Sequence, residues 1–179
     1  MKRHNPYETA VEAYLRQIPA AYLAVDEARR SLLPEGSLKN ADFLVTTEGG
    51  DNYLIDVKGR RFPSGRTRPA YWRNWTTREE LASLVRWQVL LGPRFTGCLV
   101  FAYHVVGDRT PVAPADLFVH QGRIYAFLAM TLPAYLAAAR PLSARWATVT
   151  VPTPVFRRQA RPLAELLRPA AAPVGRSAG

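Results

Sequence analysis

At 179 residues the chain is long enough for one domain with a sizeable core, and its 48% hydrophobic content nowhere gathers into a run of membrane-spanning length. A single cysteine, Cys98, excludes a disulfide framework and any metal site built on several thiolates. The formal net charge of +10 favours a polyanionic partner, nucleic acid ahead of a membrane. Arginine outnumbers lysine 21 to 3, a bias that a GC-rich genome also produces, but such a bias leaves acids in place to balance it and here they do not. The opening Met1-Lys2-Arg3-His4-Asn5-Pro6 lacks the apolar stretch of a signal peptide, so a reducing cytoplasm is the expected location.

Asn5-Pro6-Tyr7-Glu8 has the form of a helix start, with Asn5 as N-cap, Pro6 at N1 and Glu8 at N3. Tyr7, Ala10, Val11, Tyr14, Leu15 and Ile18 recur at helical spacing, which carries the first helix to about Ile18, where Pro19 stops it. Tyr22 to Val25 is a short strand, followed by the charged run Asp26-Glu27-Ala28-Arg29-Arg30, expected as a surface ion-pair cluster, and a loop around Pro34-Glu35-Gly36. Ala41 to Thr47 reads as a strand, Glu48-Gly49-Gly50 as a turn and Asn52 to Gly59 as the returning strand. A long basic loop is expected from Arg60 to Thr76. Thr77-Arg78-Glu79-Glu80 then forms a capping box that opens a second helix to about Leu91, ended by Gly92-Pro93.

Thr96 to Val105 is a strongly apolar strand, expected to be central and buried. Beyond it, Asp116 to His120 and Arg123 to Ala129 form a hairpin, Thr131 to Arg140 a short helix, Trp146 to Val151 a strand and Arg161 to Leu167 a last helix. A single domain over 1–168 is expected, with a core at about 5–105 and an α/β extension at about 106–168. Residues 169–179, rich in Ala, Pro and Gly, read as a disordered tail.

The chemistry concentrates on the first hairpin. Period-two alternation places Leu54, Asp56 and Lys58 on one face and Tyr53, Ile55 and Val57 on the other. With a turn centred on Gly49, Asp42 falls opposite Asp56, because their numbers are symmetric about that residue. Opposed side chains on antiparallel strands lie about 4.5–5.5 Å apart at Cβ. Two carboxylates that close repel unless a cation or a shared proton sits between them. A hard divalent ion that keeps waters and uses one or two carboxylates plus a substrate phosphate suits this layout, which points to Mg2+ or Mn2+. Lys58 on the same face would hold the attacking water and steady developing charge on phosphorus. The bland alternative is a solvated hairpin with an exposed Asp56–Lys58 pair.

A helix bearing a glutamate, then Asp42, then Asp56-Val57-Lys58, then a second helix and a buried strand resembles the PD-(D/E)xK, or restriction-endonuclease-like, nuclease superfamily, in particular its Holliday-junction-resolvase-type cores. The likeness covers about residues 5 to 105, and Ala41 stands where the motif's proline would be. The opening Tyr7-Glu8-Thr9-Ala10-Val11-Glu12 is also similar to an uncharacterised bacterial family known by an HYExAFE signature, with Asn5-Pro6 between His4 and Tyr7 and Val11 in place of the phenylalanine. The superfamily resemblance implies an αβββαβ core. It also implies a metal held by Asp42, Asp56, the Val57 carbonyl and a helix glutamate, Glu8 or Glu12, with Lys58 near the water.

Gln88 lies on the core-facing stripe of the second helix, in line with Leu81, Leu84 and Val85. It is either a satisfied core amide or a further catalytic residue, since related nucleases often place a polar residue of this helix in the site. Arg60, Arg61, Arg66, Arg68 and Arg73 are interleaved with Phe62, Tyr71, Trp72 and Trp75, with no acid between Asp56 and Glu79. Such a segment suits phosphate contacts and base stacking, or else a solvated loop whose tryptophans cap the core. The expected function is therefore a Mg2+-dependent endonuclease acting on DNA ahead of RNA, with a catalytically inactive nucleic-acid-binding module as the alternative. No membrane partner is expected, and a homodimer stays open.

Overall fold

The computed structural model describes residues 5–25, 31–33, 36–65 and 67–168, with the backbone alone over 31–33 and 36–37. The expected ion-pair cluster at 26–30, Arg66 and the expected tail at 169–179 lie outside the described residues. In chain order the elements are α1 (Pro6–Leu15), β1 (Ala20–Ala24), β2 (Ser31–Leu33), β3 (Gly36–Leu38), β4 (Phe43–Thr47), β5 (Asn52–Phe62), β6 (Thr76–Thr77), α2 (Arg78–Leu91) and β7 (Phe95–Val105). They are followed by β8 (Leu117–His120), β9 (Arg123–Thr131), α3 (Leu132–Ala138), β10 (Arg140–Ser143), β11 (Thr148–Thr150), α4 (Thr153–Gln159), β12 (Arg161–Pro162) and α5 (Leu163–Leu167).

One sheet organises the molecule, in the order β1-β4-β5-β7-β9-β12 with β8 also on β9. All its pairs are antiparallel except β5 with β7, which run parallel from Asn52↔Phe95 to Phe62↔Val105. The parallel pair follows from α2, which crosses over between them. Alternation along the strands splits the core in two. Leu54, Phe62, Leu99, Phe101 and Tyr103 pack with Leu81 and Leu84 of α2, Tyr135 of α3 and Phe156 of α4. Ile55, Val57, Cys98, Val100 and Ala102 pack with Ala10, Val11 and Leu15 of α1 and Leu163 and Leu167 of α5. Cys98 is wholly buried there, and burial pushes its thiol up to about 12, so it serves packing.

The helix signals behave as their chemistry requires. The Asn5 side chain accepts from Tyr7 N–H, and Thr77 and Glu80 complete a reciprocal capping box on α2. The β4–β5 register runs Phe43↔Ile55, Leu44↔Leu54 and Val45↔Tyr53, which is the pairing symmetric about Gly49. Gly50 closes the turn at φ +86°, a conformation only glycine takes without strain.

Several boundaries differ from expectation. α1 ends at Leu15, not Ile18, because Gln17 N–H closes a tighter turn on Tyr14. β1 starts two residues early, on its pairing with β4. The loop expected from Arg60 begins later: β7 carries β5 on through Phe62, so Arg60 and Arg61 are strand residues. β2 and β3 pair as a small hairpin on either side of the expected loop, of which Pro34 and Glu35 lie outside the described residues. The expected strand from Trp146 shrinks to Thr148–Thr150, with Trp146 in a turn, and α4 had no clear periodic signal in so short a segment.

Candidate nuclease site

The site arises where one strand stops and its neighbour continues. β4 begins at Phe43 opposite Ile55, so from Asp56 onward β5 has a strand partner only on the β7 side. Asp42, just before β4, takes over the vacated edge: its N–H bonds to the Ile55 carbonyl at 2.8 Å and its Oδ2 accepts from Val57 N–H at 2.5 Å. Asp42 and Asp56 are both buried here. The unpaired edge opens into a cavity of about 330 Å³ lined by Asn5, Tyr7, Glu8, Lys39, Asp42, Asp56, Val57, Lys58, Gly59, Arg60, Trp75 and Glu80.

Lys58 is only 6% exposed, which removes the reading of a solvated surface pair. Its Nζ lies 2.6 Å from Asp56 Oδ2 and 2.9 Å from Glu80 Oε1. Burial works against the Lys58 ammonium, but Asp56 and Glu80 outweigh it and raise its pKa above the ordinary value. Its two carboxylate partners thus favour Lys58 as a cation in this site. The Asp56 carboxyl is raised as well: burial raises it, and the Lys58 ammonium offsets this only in part.

Glu80 is the site residue that sequence reasoning passed over. Its Oε1 receives both Lys58 and Lys39, the latter at 2.8 Å, while Oε2 accepts from the Thr76 hydroxyl at 2.7 Å and Thr77 N–H at 2.9 Å. The capping-box signature had placed this carboxylate at N3 of α2, but nothing local shows that the first turn of α2 lies over Lys58. Lys39 is brought in by its own carbonyl, which accepts from the Trp87 indole at 2.9 Å.

The α1 side contributes Glu8, 7% exposed and beside the Asn5 amide, so Glu8 and not Glu12 lines the cavity. Glu12 pairs with Arg16 at 2.8 Å instead. Gln88 is not brought to the cluster. Its side-chain oxygen accepts from Gly97 N–H at 2.7 Å and ties α2 to β7, the satisfied-amide alternative.

The basic segment divides in the same way. Arg60 is not a loop residue but a cavity wall: its guanidinium lies 4.0 Å over the Trp75 ring and donates to the Trp75 carbonyl at 2.5 Å and the Gly59 carbonyl at 2.7 Å. Its buried Nε keeps no partner among the described residues. Trp72, at φ +60°, packs edge-on against Phe62 at 5.3 Å, and Arg157 covers it at 5.1 Å, so it caps the core. Arg61, Arg68 and Arg73 are exposed to solvent.

The described fold aligns with the 1.6 Å structure of Hjc, a Holliday junction resolvase from the archaeal hyperthermophile Archaeoglobus fulgidus. The TM-score is 0.53 at 14% sequence identity, covering 90% of this chain and 98% of that one. The fold is of the restriction-endonuclease-like kind. No family model and no curated protein matches it, so the likeness of the opening segment to the HYExAFE signature rests on those residues alone. Among the described residues no helix is long and apolar enough to cross a membrane.

The donor chemistry fits a hard divalent cation. Asp42, Asp56, Glu8 and the Val57 carbonyl offer oxygen alone, with no thiolate or imidazole among the described lining residues. Among the described residues no three His, Cys, Asp or Glu side chains converge into a ready ligand group, so waters and substrate oxygens would complete the shell. Among the described lining residues, four carboxylates, Glu8, Asp42, Asp56 and Glu80, accompany three cations, Lys39, Lys58 and Arg60. With all of them ionised the balance is one negative charge, which a divalent ion would turn positive in readiness for a phosphate.

Proposed function

We propose that this protein is a Mg2+- or Mn2+-dependent endonuclease that hydrolyses phosphodiester bonds, in DNA ahead of RNA. The observation that carries this is the buried Asp42–Asp56–Lys58 constellation at the floor of an open cavity on a nuclease fold. Asp42, Asp56 and the Val57 carbonyl would hold the cation, with Glu8 reaching it directly or through water. Such an ion, when bound, supplies a more acidic water and neutralises phosphate charge.

The remaining roles belong to the chain. An ammonium has three donors, and Lys58 directs two at Asp56 and Glu80, which leaves one for the attacking water or a phosphoryl oxygen. That third donor would stabilise the charge that develops on phosphorus. The Arg60 guanidinium and the Lys39 ammonium, both in the lining, suit the flanking phosphates.

The test is incubation of branched, nicked, single-stranded and duplex DNA with the protein and Mn2+. Cleavage of at least one substrate is expected, with a loss of about 100-fold or more in Asp56→Asn and in Lys58→Met. Calorimetry should show Mn2+ binding that Asp56→Asn abolishes. The site already balances much of its own charge through Lys58, which keeps the second reading in play. Salt-sensitive binding without cleavage of any substrate would identify a nuclease-fold binding module.

A further inference from the structure

The extension that follows the nuclease core carries an unusual charge pattern. Between Asp116 and Glu165 there is no acidic residue, while Arg123, Arg140, Arg145, Arg157, Arg158 and Arg161 fall within that stretch. A compositional preference for arginine explains six arginines but not the removal of every acid over the same span. Arg140, Arg145, Arg157 and Arg158 are all exposed, and none has a carboxylate partner among the described residues.

The fold brings these groups beside the cavity. β10, β11 and β6 form a three-stranded sheet, with Thr148↔Thr77 and Val149↔Thr76, so the extension is stitched to the residues that open α2. The buried Asn74 side chain adds bonds to Val151 N–H at 2.8 Å, to the Val151 carbonyl at 3.0 Å and to the Thr150 hydroxyl at 2.8 Å. The turn containing Arg145 and Trp146 abuts Arg78, whose N–H bonds to the Ala147 carbonyl. Trp146 is 67% exposed with Arg145 5.1 Å from its ring, and Arg157 stacks on Trp72 next to the exposed Arg73. The segment 72–77 thus has the cavity on one side, through Trp75, and the basic extension on the other.

We infer that the β10–β11 turn and α4 form an accessory ridge that grips the sugar–phosphate backbone of nucleic acid outside the cleavage cavity, through Arg145, Arg157 and Arg158, with Trp146 packing on sugar or base. The inference rests on the nucleic-acid partner of the proposed function, not on cleavage. Positive charge without counter-charge, presented from a turn and a short helix beside an exposed aromatic, matches a polyphosphate chain. It does not select sequence, since phosphate contacts position a strand without reading it.

The experiment is fluorescence anisotropy of the full chain with labelled duplex DNA over a series of salt concentrations, comparing wild type, R157Q/R158Q, R145Q/W146A and R61Q/R68Q. Removing one phosphate-neutralising arginine lowers the slope of log K against log salt by about 0.9. R157Q/R158Q and R145Q/W146A should each weaken binding about 5- to 50-fold, equally across unrelated sequences, and flatten the slope by about 1–2. Thermal melting of each variant identifies any that fail to fold, and the other double variant then decides.

Wild-type slope in both ridge variants, with weakened binding in R61Q/R68Q, would overturn the ridge while leaving the cavity reading intact. Absence of wild-type binding to any nucleic acid would overturn the functional reading itself. Equal, ridge-dependent binding of polyglutamate would assign the surface to an acidic protein instead.

Discussion

Glu80 concentrates more of the site's electrostatics than any other side chain, since it links α2 to two lysines from different parts of the chain. Burial alone would raise its carboxyl, but Lys58, Lys39 and the Thr77 N–H hold it well below the ordinary carboxylate range. A carboxylate whose folded pKa is depressed adds stability that is complete above its unfolded pKa, about 4.3. That contribution is lost as pH falls through the acid range towards the folded pKa. Glu80→Gln should therefore cost about 1–3 kcal/mol at pH 7. The gap to wild type should shrink as pH drops from 5 towards 2, as read by urea denaturation at a series of pH values. A gap that persists unchanged to pH 2 would assign the loss to capping geometry and packing rather than to charge.

Between elements, the placement of α1 depends on a missing side chain. Gly59 follows Lys58 on β5, and a Cβ there would fall within the Tyr7 ring. The bare backbone lets Tyr7 lie on the strand, which sets α1 so that Glu8 reaches the cavity. Gly59→Ala should destabilise by about 1–3 kcal/mol through overpacking. In a Tyr7→Ala background the same change should be nearly neutral, so a double-mutant cycle should return a coupling close to the whole cost. Additive effects would mean that the methyl disturbs β5 itself.

This contact also marks the limit of what could be read in advance. Asn5, Thr77, the Gly49-centred register and the alternation of Asp56 and Lys58 are local features, set by hydrogen-bond chemistry and strand period, and they were legible. The meeting of Glu80 with Lys58, or of Tyr7 with Gly59, depends on where helices land on a sheet, which no periodicity encodes. Arg60 shows a related limit. Its neighbours look like a solvated basic loop, but pairing with β7 extends the strand and buries it.

At the scale of the molecule, the extension completes the sheet that holds the site. β9 pairs with β7 from Cys98↔Thr131 to Val105↔Ile124, and Cys98 to Tyr103 are buried on both faces. A chain ended after Val105 would expose β7 as a long apolar edge, the arrangement most prone to intermolecular pairing. It would also release the Asn74 and β6 contacts that set the start of α2, and with them the place of Glu80. The fragment 1–105 should therefore be aggregated or unfolded and should lack Mn2+ binding. Residues 1–168 should melt in one cooperative transition with equal calorimetric and van't Hoff enthalpies. Two resolved transitions, or a soluble fragment that still binds the metal, would make the extension a separate unit. In that case its arginines would act as an appended grip rather than as part of the wall that positions the cavity.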